Sequence, residues 1–174
     1  MDTVSGPDRT WDEKLTQWVE AYQTALLRLC FAYLHDRAMA EDAVQETFLK
    51  AYRALPAFKG GSSEKTWLSR IAINTCRDMR RSGWFRHTDR SVTPDMLPEP
   101  SVQPSPGDDA VTLAVMALPI RLRESVLLYY FQDMNASEIA SVLGISQQAV
   151  SGRLSRARDK LRLALEKMEQ EERG

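Results

Sequence analysis

The feature that most limits how this chain can fold is a run of prolines past its middle. Pro94, Pro98, Pro100, Pro104 and Pro106 stand among Ser, Asp and Glu, with no periodic apolar pattern between them. Proline fixes its own φ and lacks an N–H donor, so such a stretch builds neither a helix interior nor a central strand. With few apolar side chains it cannot bury a core either, and it reads as an extended, mobile linker. Helical periodicity lies on both sides. It runs almost unbroken from Trp11 to Arg81, with Pro56, Gly60 and Gly61 as the one strong internal break, and resumes from near Asp109 to about Glu169. Neither half shows strand-like alternation or an internal repeat. The expected architecture is all-α, with two small helical domains joined by a flexible linker. The first spans residues 11–83, the linker 84–108 and the second 109–169.

Length and composition agree. At 174 residues the chain can hold one ordinary domain or two small ones. A hydrophobic share of 43% with 27% charged residues suits a folded, helix-rich protein. No apolar run approaches the roughly 20 residues that span a bilayer. The N-terminal stretch carries Asp2, Asp8, Asp12 and Glu13 in place of an apolar segment, so it is not a signal peptide and a cytoplasmic location is expected. Cys30 and Cys76 both fall in helical stretches and read as small buried hydrophobes rather than a disulfide. His35 and His87 lack ligand-spaced companions, so no metal site is expected. No carboxylate pair, nucleophile–His pair or phosphate-cradling loop appears, and Gly60-Gly61 is too short for a nucleotide signature. The chain is expected to be neither an enzyme nor a cofactor binder.

A net charge of −1 conceals a strong segregation. Between Lys65 and Arg90, Lys65, Arg70, Arg77, Arg80, Arg81, Arg86 and Arg90 face only Asp78 and Asp89. Between Ser146 and Met168, Arg153, Arg156, Arg158, Lys160, Arg162 and Lys167 face Asp159 and Glu166. Acid gathers from Glu41 to Glu46, from Asp95 to Asp109 and in the Glu169–Glu172 tail. Two separate basic stretches in a nearly neutral chain point to two contacts with one polyanion.

In the first half, a helix over about 38–55 places Val44, Phe48, Ala51 and Leu55 on an inward face. Asp42, Gln45, Glu46 and Leu49 share the opposite face, where an apolar residue ringed by polar ones resembles a docking surface. After the glycines, Ser62 or Ser63 can cap a second helix. Leu68, Ile71, Thr75 and Met79 form its inward stripe; Thr66, Arg70, Asn74, Arg77 and Arg81 run along another face, with Trp67 beside it. Arginines hold phosphates, an asparagine can bond a base edge, and an aromatic can stack on bases, so this face fits single-stranded nucleic acid. Trp67 also fits a core position.

The second half carries the sharper signal. Asn135 followed by Glu138 fits a capping box, and a short helix from Ser137 to Leu143 buries Ile139, Ala140 and Leu143. Gly144 suits the left-handed residue that ends it, and Ser146 then caps a helix with Val150, Leu154, Ala157 and Leu161 inward. This is a helix-turn-helix, whose second helix enters the major groove. Gln147, Gln148, Ser151, Gly152, Ser155 and Arg156 lie outward near its start; Gln pairs with adenine and Arg with guanine. Arg153, Arg158 and Arg162 suit phosphate clamping. Gly152 reads equally as a tolerated weak point or as room for close approach to DNA.

These segments resemble a known family. Ala40-Glu41-Asp42-Ala43-Val44-Gln45-Glu46-Thr47-Phe48-Leu49-Lys50-Ala51-Tyr52 is similar to the polymerase-binding helix of extracytoplasmic-function (ECF) sigma factors of the sigma-70 superfamily. Thr66-Trp67-Leu68-Ser69-Arg70-Ile71-Ala72-Ile73-Asn74, with Arg77-Asp78, looks like their promoter-melting segment. Leu118-Pro119, Arg123, Glu138-Ile139-Ala140 and Arg153-Leu154-Ser155-Arg156-Ala157-Arg158 resemble their minus-thirty-five-binding domain. Order and spacing agree over about residues 15–165.

The resemblance implies roles. Asp42, Gln45, Glu46 and Leu49 would grip the β′ coiled coil of core RNA polymerase. The loop from Lys59 through Ser62 to Ser63, with Asn74, would hold a base flipped from the minus-ten element, with Thr66 and Trp67 beside it. Arg70, Arg77, Arg80 and Arg81 would hold nearby phosphates. Gln147, Gln148, Ser151, Gly152, Arg153, Ser155, Arg156 and Arg158 would contact the minus-thirty-five element of promoter DNA, close to the β flap. An anti-sigma factor would hold such a chain inactive. The sequence departs from the family pattern at Glu64, often apolar there, and at Ser151 and Gly152; Trp84-Phe85-Arg86 is unusually aromatic. Two rivals stand beside this reading. A dimeric helix-turn-helix regulator leaves the Asp42–Leu49 face unexplained, and a protein-binding adaptor leaves both basic helices without purpose.

Overall fold

The computed structural model describes residues 7–82 and 108–174. Apart from Asp108, the expected linker lies outside the described residues, as do Trp84, Phe85 and His87. Among the described residues every regular element is helical.

Helix α1 (Pro7–Leu34) begins on proline, whose missing N–H costs nothing at a first helical position. It ends where His35 turns left-handed, at φ 59°. Asp36 follows with extended backbone and caps α2 (Arg37–Ala54) by accepting a hydrogen bond of 2.8 Å from the Met39 N–H. The sequence shows no glycine or proline here, so this break was not visible in it. In α2 the expected inward residues Val44, Phe48 and Ala51 are buried. Leu55 is half-buried at the start of a 3-10 turn, Leu55–Ala57, built around Pro56.

Ser63 is the cap of α3 (Glu64–Arg81), accepting 3.1 Å from the Thr66 N–H. The buried face of α3 is wider than a single stripe. Leu68 and Thr75 are joined by Ser69, Ala72, Ile73 and Cys76, while Ile71 and Met79 are half-buried. Thr66, expected on the outward face, is instead 3% exposed, with its hydroxyl 2.9 Å from Ser63 Oγ at the cap. That position of the first turn faces the interior. Cys30 and Cys76 are both free and buried; the neighbouring Cys30 thiol, with burial, pushes the Cys76 thiol up.

The second half comprises α4 (Asp108–Met116), α5 (Ile120–Val126), a π turn (Leu127–Phe131), α6 (Ala136–Leu143) and α7 (Gln147–Arg173). Asn135 and Glu138 form the expected capping box, with Asn135 Oδ1 accepting 2.9 Å from the Glu138 N–H and Glu138 Oε2 accepting 2.8 Å from the Asn135 N–H. Gly144 sits at φ 68°, the left-handed region an L residue rarely occupies. Ser146 caps α7, accepting 3.1 Å from the Ala149 N–H. Ile139, Val142, Leu143, Val150, Leu154 and Ala157 are buried between α6 and α7.

The two halves do not stand apart. Helix α3 packs on α6, and α1 on α4, α5 and the π turn, so that one continuous apolar core runs through both. Among the described residues no helix is long and apolar enough to cross a membrane, and no cluster of His, Cys, Asp or Glu could hold a metal.

Candidate nucleic-acid interface

The start of α3 is held by an aromatic cluster. The ring centroids of Phe58 and Trp67 are 4.6 Å apart, those of Trp18 and Trp67 5.5 Å, and Trp18 meets Phe58 edge-on at 6.2 Å. Trp67 is half-buried, so it belongs to the core and to the surface at once. Glu64, the departure from the family pattern, pairs with Lys14 of α1, which itself lies 5.7 Å over the Trp18 ring. The hydrogen-bonded ammonium holds the Glu64 carboxyl below its ordinary value. A carboxylate in the first turn also complements the helix dipole. An ion pair here does what an apolar side chain would otherwise do: it fixes α3 to α1.

Beside this cluster lies an open cleft of about 330 Å³. Lys59, Ser62, Trp67 and Arg70 line it together with Phe58 and Gly61; Gly60, at φ 72°, makes the turn. Ser63 is spent on the cap, and Thr66 faces the core. Asn74 is exposed one helical turn beyond Arg70 and does not line the cleft. The far wall includes Ser141, from α6 of the other half.

The arginines of α3 diverge. Arg70 donates to Ser141 Oγ. Arg77 grips Glu124 of α5 with both arms, Nε to Oε1 at 3.0 Å and Nη2 to Oε2 at 3.2 Å. Arg80 lies 5.8 Å over the Tyr33 ring, and Arg81 pairs loosely with Asp78 at 3.7 Å. The Glu124 carboxylate, 5% exposed, also accepts 2.7 Å from the Tyr33 hydroxyl. Burial and that carboxylate push the Tyr33 phenol above its ordinary value, and Glu124 raises the Arg77 guanidinium. Next to it, Arg123 donates to the Met116 and Tyr33 carbonyls and, at 2.9 Å, to His35 Nε2. Arginine only donates, so that ring nitrogen must be unprotonated. Burial pushes Arg123 down to about 10.

On α7 the expected outward residues Gln147, Gln148, Ser151, Ser155, Arg156 and Arg158 are exposed. Arg158 donates 3.0 Å to the Tyr130 hydroxyl and lies 5.7 Å over the Tyr129 ring. Two residues depart from the expected face. Gly152 is half-buried, and Arg153 turns inward with its side chain 16% exposed, 3.4 Å from the Arg121 carbonyl and 3.8 Å from Glu124 Oε2. On α2, Asp42, Gln45 and Leu49 are exposed, Leu49 to 49%, and Glu46 is half-buried.

Sequence reasoning missed Glu124, Tyr33 and the contacts of Arg123. The signal was present: Arg123-Glu124 sits in a short helix whose neighbours Leu122 and Val126 are core residues. A charge pair amid such neighbours needs partners from elsewhere.

The sigma-70 region 2 family matches residues 18–86 and the sigma-70 region 4 family residues 108–161. The RNA polymerase sigma-H factor of Pseudomonas aeruginosa is 33% identical over 83% of this chain and 82% of its own. The ECF RNA polymerase sigma factor SigC of Mycobacterium tuberculosis is 33% identical over 84% and 80%. Among solved structures, the sigma factor RpoE in complex with the anti-sigma factor NepR, from Bartonella quintana, superposes with a TM-score of 0.75 at 25% identity, covering 88% of this chain and 98% of that one.

Proposed function

Because the chain belongs to the ECF group of the sigma-70 family, we propose that it binds core RNA polymerase and directs it to promoters in the cytoplasm by binding alone, without catalysis. Residues 11–83 serve as its melting module and residues 109–169 as its minus-thirty-five module. The exposed ridge of Asp42, Gln45 and Leu49, with Glu46 at its edge, docks on the β′ coiled coil. An apolar side chain ringed by polar ones gives such a contact its anchor. The cleft of Lys59, Ser62, Trp67 and Arg70 receives an unstacked base of the minus-ten element, and Asn74 with the α3 arginines follows the strand. Helix α7 enters the major groove of the minus-thirty-five element, where Gln147, Gln148, Ser155 and Arg156 reach bases and Arg158 a phosphate, near the β flap. An anti-sigma factor masks these surfaces, as the complex of the similar sigma factor RpoE with NepR suggests for this chain.

The observation that carries the reading is the cleft itself. It combines a half-buried indole for stacking, cations for the backbone and hydroxyls for a base edge, at the foot of a helix separate from the helix-turn-helix. A duplex-only regulator has no use for it. Holding one unstacked base is worth about 1–3 kcal/mol, so a few captured bases offset the cost of melting.

The test is transcription in vitro with purified core polymerase and a library of genomic fragments. The chain is expected to form a stoichiometric complex with core and to add new start sites. Asn74→Ala is expected to leave duplex binding intact and slow opening about tenfold, read as permanganate reactivity of the melted bases. A chain that adds no start sites refutes the function, and normal reactivity in Asn74→Ala removes that residue from the path of the melted strand.

A further inference from the structure

We propose that Tyr129 and Tyr130, two exposed rings of the π turn, are positioning residues that hold Arg158 of α7 ready for a phosphate of duplex DNA. The inference rests on reading α7 as the helix that enters the groove.

Arg158 belongs to the face of α7 that meets DNA in that reading. It follows Ser151 and Ser155 at the i, i+4, i+7 spacing that keeps residues on one side of a helix, and all three are exposed. An exposed arginine has many rotamers, and fixing it against a phosphate costs that freedom. Here the freedom is already reduced in the free protein. Arg158 Nε donates 3.0 Å to the Tyr130 hydroxyl oxygen, and the guanidinium lies 5.7 Å over the Tyr129 ring. With Nε engaged, the two terminal nitrogens are left to meet an outside acceptor as a fork.

The core does not need these rings. Tyr129 and Tyr130 are 36% and 50% exposed, whereas Leu127 and Leu128 just before them are fully buried. The two rings stand edge-on with centroids 4.8 Å apart, so each fixes the other. The nature of the partner matters as well. Arg162, one turn further along α7, pairs with Asp159 at 3.2 Å, and such a partner opposes the charge that attracts a phosphate. A phenol oxygen and a ring face orient a guanidinium and leave its charge whole. An open cleft of about 380 Å³ also borders the two rings, lined by Asp133, Met134 and Asn135 and not by Arg158. The Asp133 carboxylate repels a phosphate there, so the strand is held on the Arg158 side.

The experiment follows binding of the full chain to a fluorescein-labelled duplex of mixed sequence across a salt series, by anisotropy. Tyr130→Phe removes the hydroxyl, and Tyr129→Leu removes the ring face. Each is expected to weaken binding about three- to tenfold, as for one side chain that must be immobilised anew. Tyr129→Phe keeps the ring and is expected to recover what Leu loses. Arg158→Ala is expected to lower the slope of log affinity against log salt by about 0.9, the mark of one phosphate contact. In that background neither tyrosine change is expected to weaken binding further, because both act only through the guanidinium. A role in folding alone would give the same loss with and without Arg158. Where Tyr129→Leu loses helix content by circular dichroism, Tyr130→Phe decides, alone and combined with Arg158→Ala. Unchanged or tighter binding in Tyr130→Phe, equal losses in the two backgrounds, or an unchanged salt slope in Arg158→Ala overturns the proposal. The expected losses in a chain that adds no start sites to core polymerase end the sigma function and leave the tyrosine seat standing. New start sites with tyrosine variants that bind duplex like the wild type end the proposal alone. A wild-type chain that binds no duplex at low salt ends the reading of α7 and the proposal with it.

Discussion

Helices α3 and α7 are both basic, amphipathic and capped by serine, yet they present their charges in opposite ways. On α3 the central arginines Arg70 and Arg77 end on groups of the other half of the molecule. On α7 the residues near the start, Gln147, Gln148, Ser151, Ser155 and Arg156, remain in solvent, and only Arg153 turns in. Composition tells which helices can meet a polyanion. Tertiary packing decides which of them is free to do so. The lesson is that a basic stripe on a helix measures capacity, while the partners of each guanidinium measure availability.

The comparison breaks most severely if α7 loses its platform. Ile139 is fully buried between α6 and α7. Ile139→Ala is expected to cost about 2–5 kcal/mol through lost transfer energy and the cavity left behind, measured by denaturant unfolding. Duplex binding should fall with it. Amides of α1 to α3, which supply Trp18, Leu29, Leu68 and Ile73 to the far end of the shared core, should keep most of their protection in hydrogen exchange. Equal loss of protection in α3 would show that the two faces share a single support.

A smaller change sharpens the contrast without disturbing the fold. Arg156 is exposed on the start of α7. Arg156→Ala is expected to lower discrimination at one base position by about 1–3 kcal/mol, seen as a relaxed footprint on promoter duplex, with unfolding unchanged. An unaltered footprint removes Arg156 from the readout. Weaker still is the effect of the cap. Asn135→Ala removes the acceptor of the Glu138 N–H and is expected to cost about 1 kcal/mol. The melting temperature of the protein reads it, and no change in melting would mean that the turn is held by packing alone.

Much of this was legible beforehand because it is encoded locally. The capping box at Asn135 and Glu138, the left-handed Gly144 and the Ser146 cap are short-range features with fixed spacing, and all appear where the sequence puts them. The acidic ridge on α2 was legible for the same reason, since helical periodicity alone sorts Asp42, Gln45 and Leu49 outward and Val44 and Phe48 inward. What escaped depends on pairs distant in sequence. Tyr33 and Glu124 stand 91 residues apart, and no local pattern links them. The break at His35 escaped because histidine adopts a glycine-like φ there. Thr66 looked outward on a helical wheel, but the first turn of α3 leans on α1, so an outward position became a buried one. Trp67 was equally readable as core or as stacking platform; the aromatic cluster with Trp18 and Phe58 makes it half of each.

The finest difference between the two helices is a glycine, present in α7 and absent from α3. A helical glycine is less favourable than alanine by about 0.8–1 kcal/mol. At position 152 an added Cβ would lie 3.6 Å from Arg156 Nη1, an ordinary contact with the movable end of a side chain. Nothing in the folded chain therefore requires glycine at this position. Gly152→Ala is expected to stabilise the protein by somewhat less than about 1 kcal/mol, read as a higher denaturation midpoint at unchanged slope. A loss of stability would refute that account of the site. Binding to promoter duplex separates the two uses of a small residue on a recognition helix. If α7 approaches the backbone of the groove closely, the added methyl weakens duplex binding while the free protein gains stability. If affinity is unchanged, α7 reads DNA through the side chains of Gln147, Gln148, Ser155 and Arg156 alone, and the exposure that sets it apart from α3 belongs to those side chains rather than to its backbone.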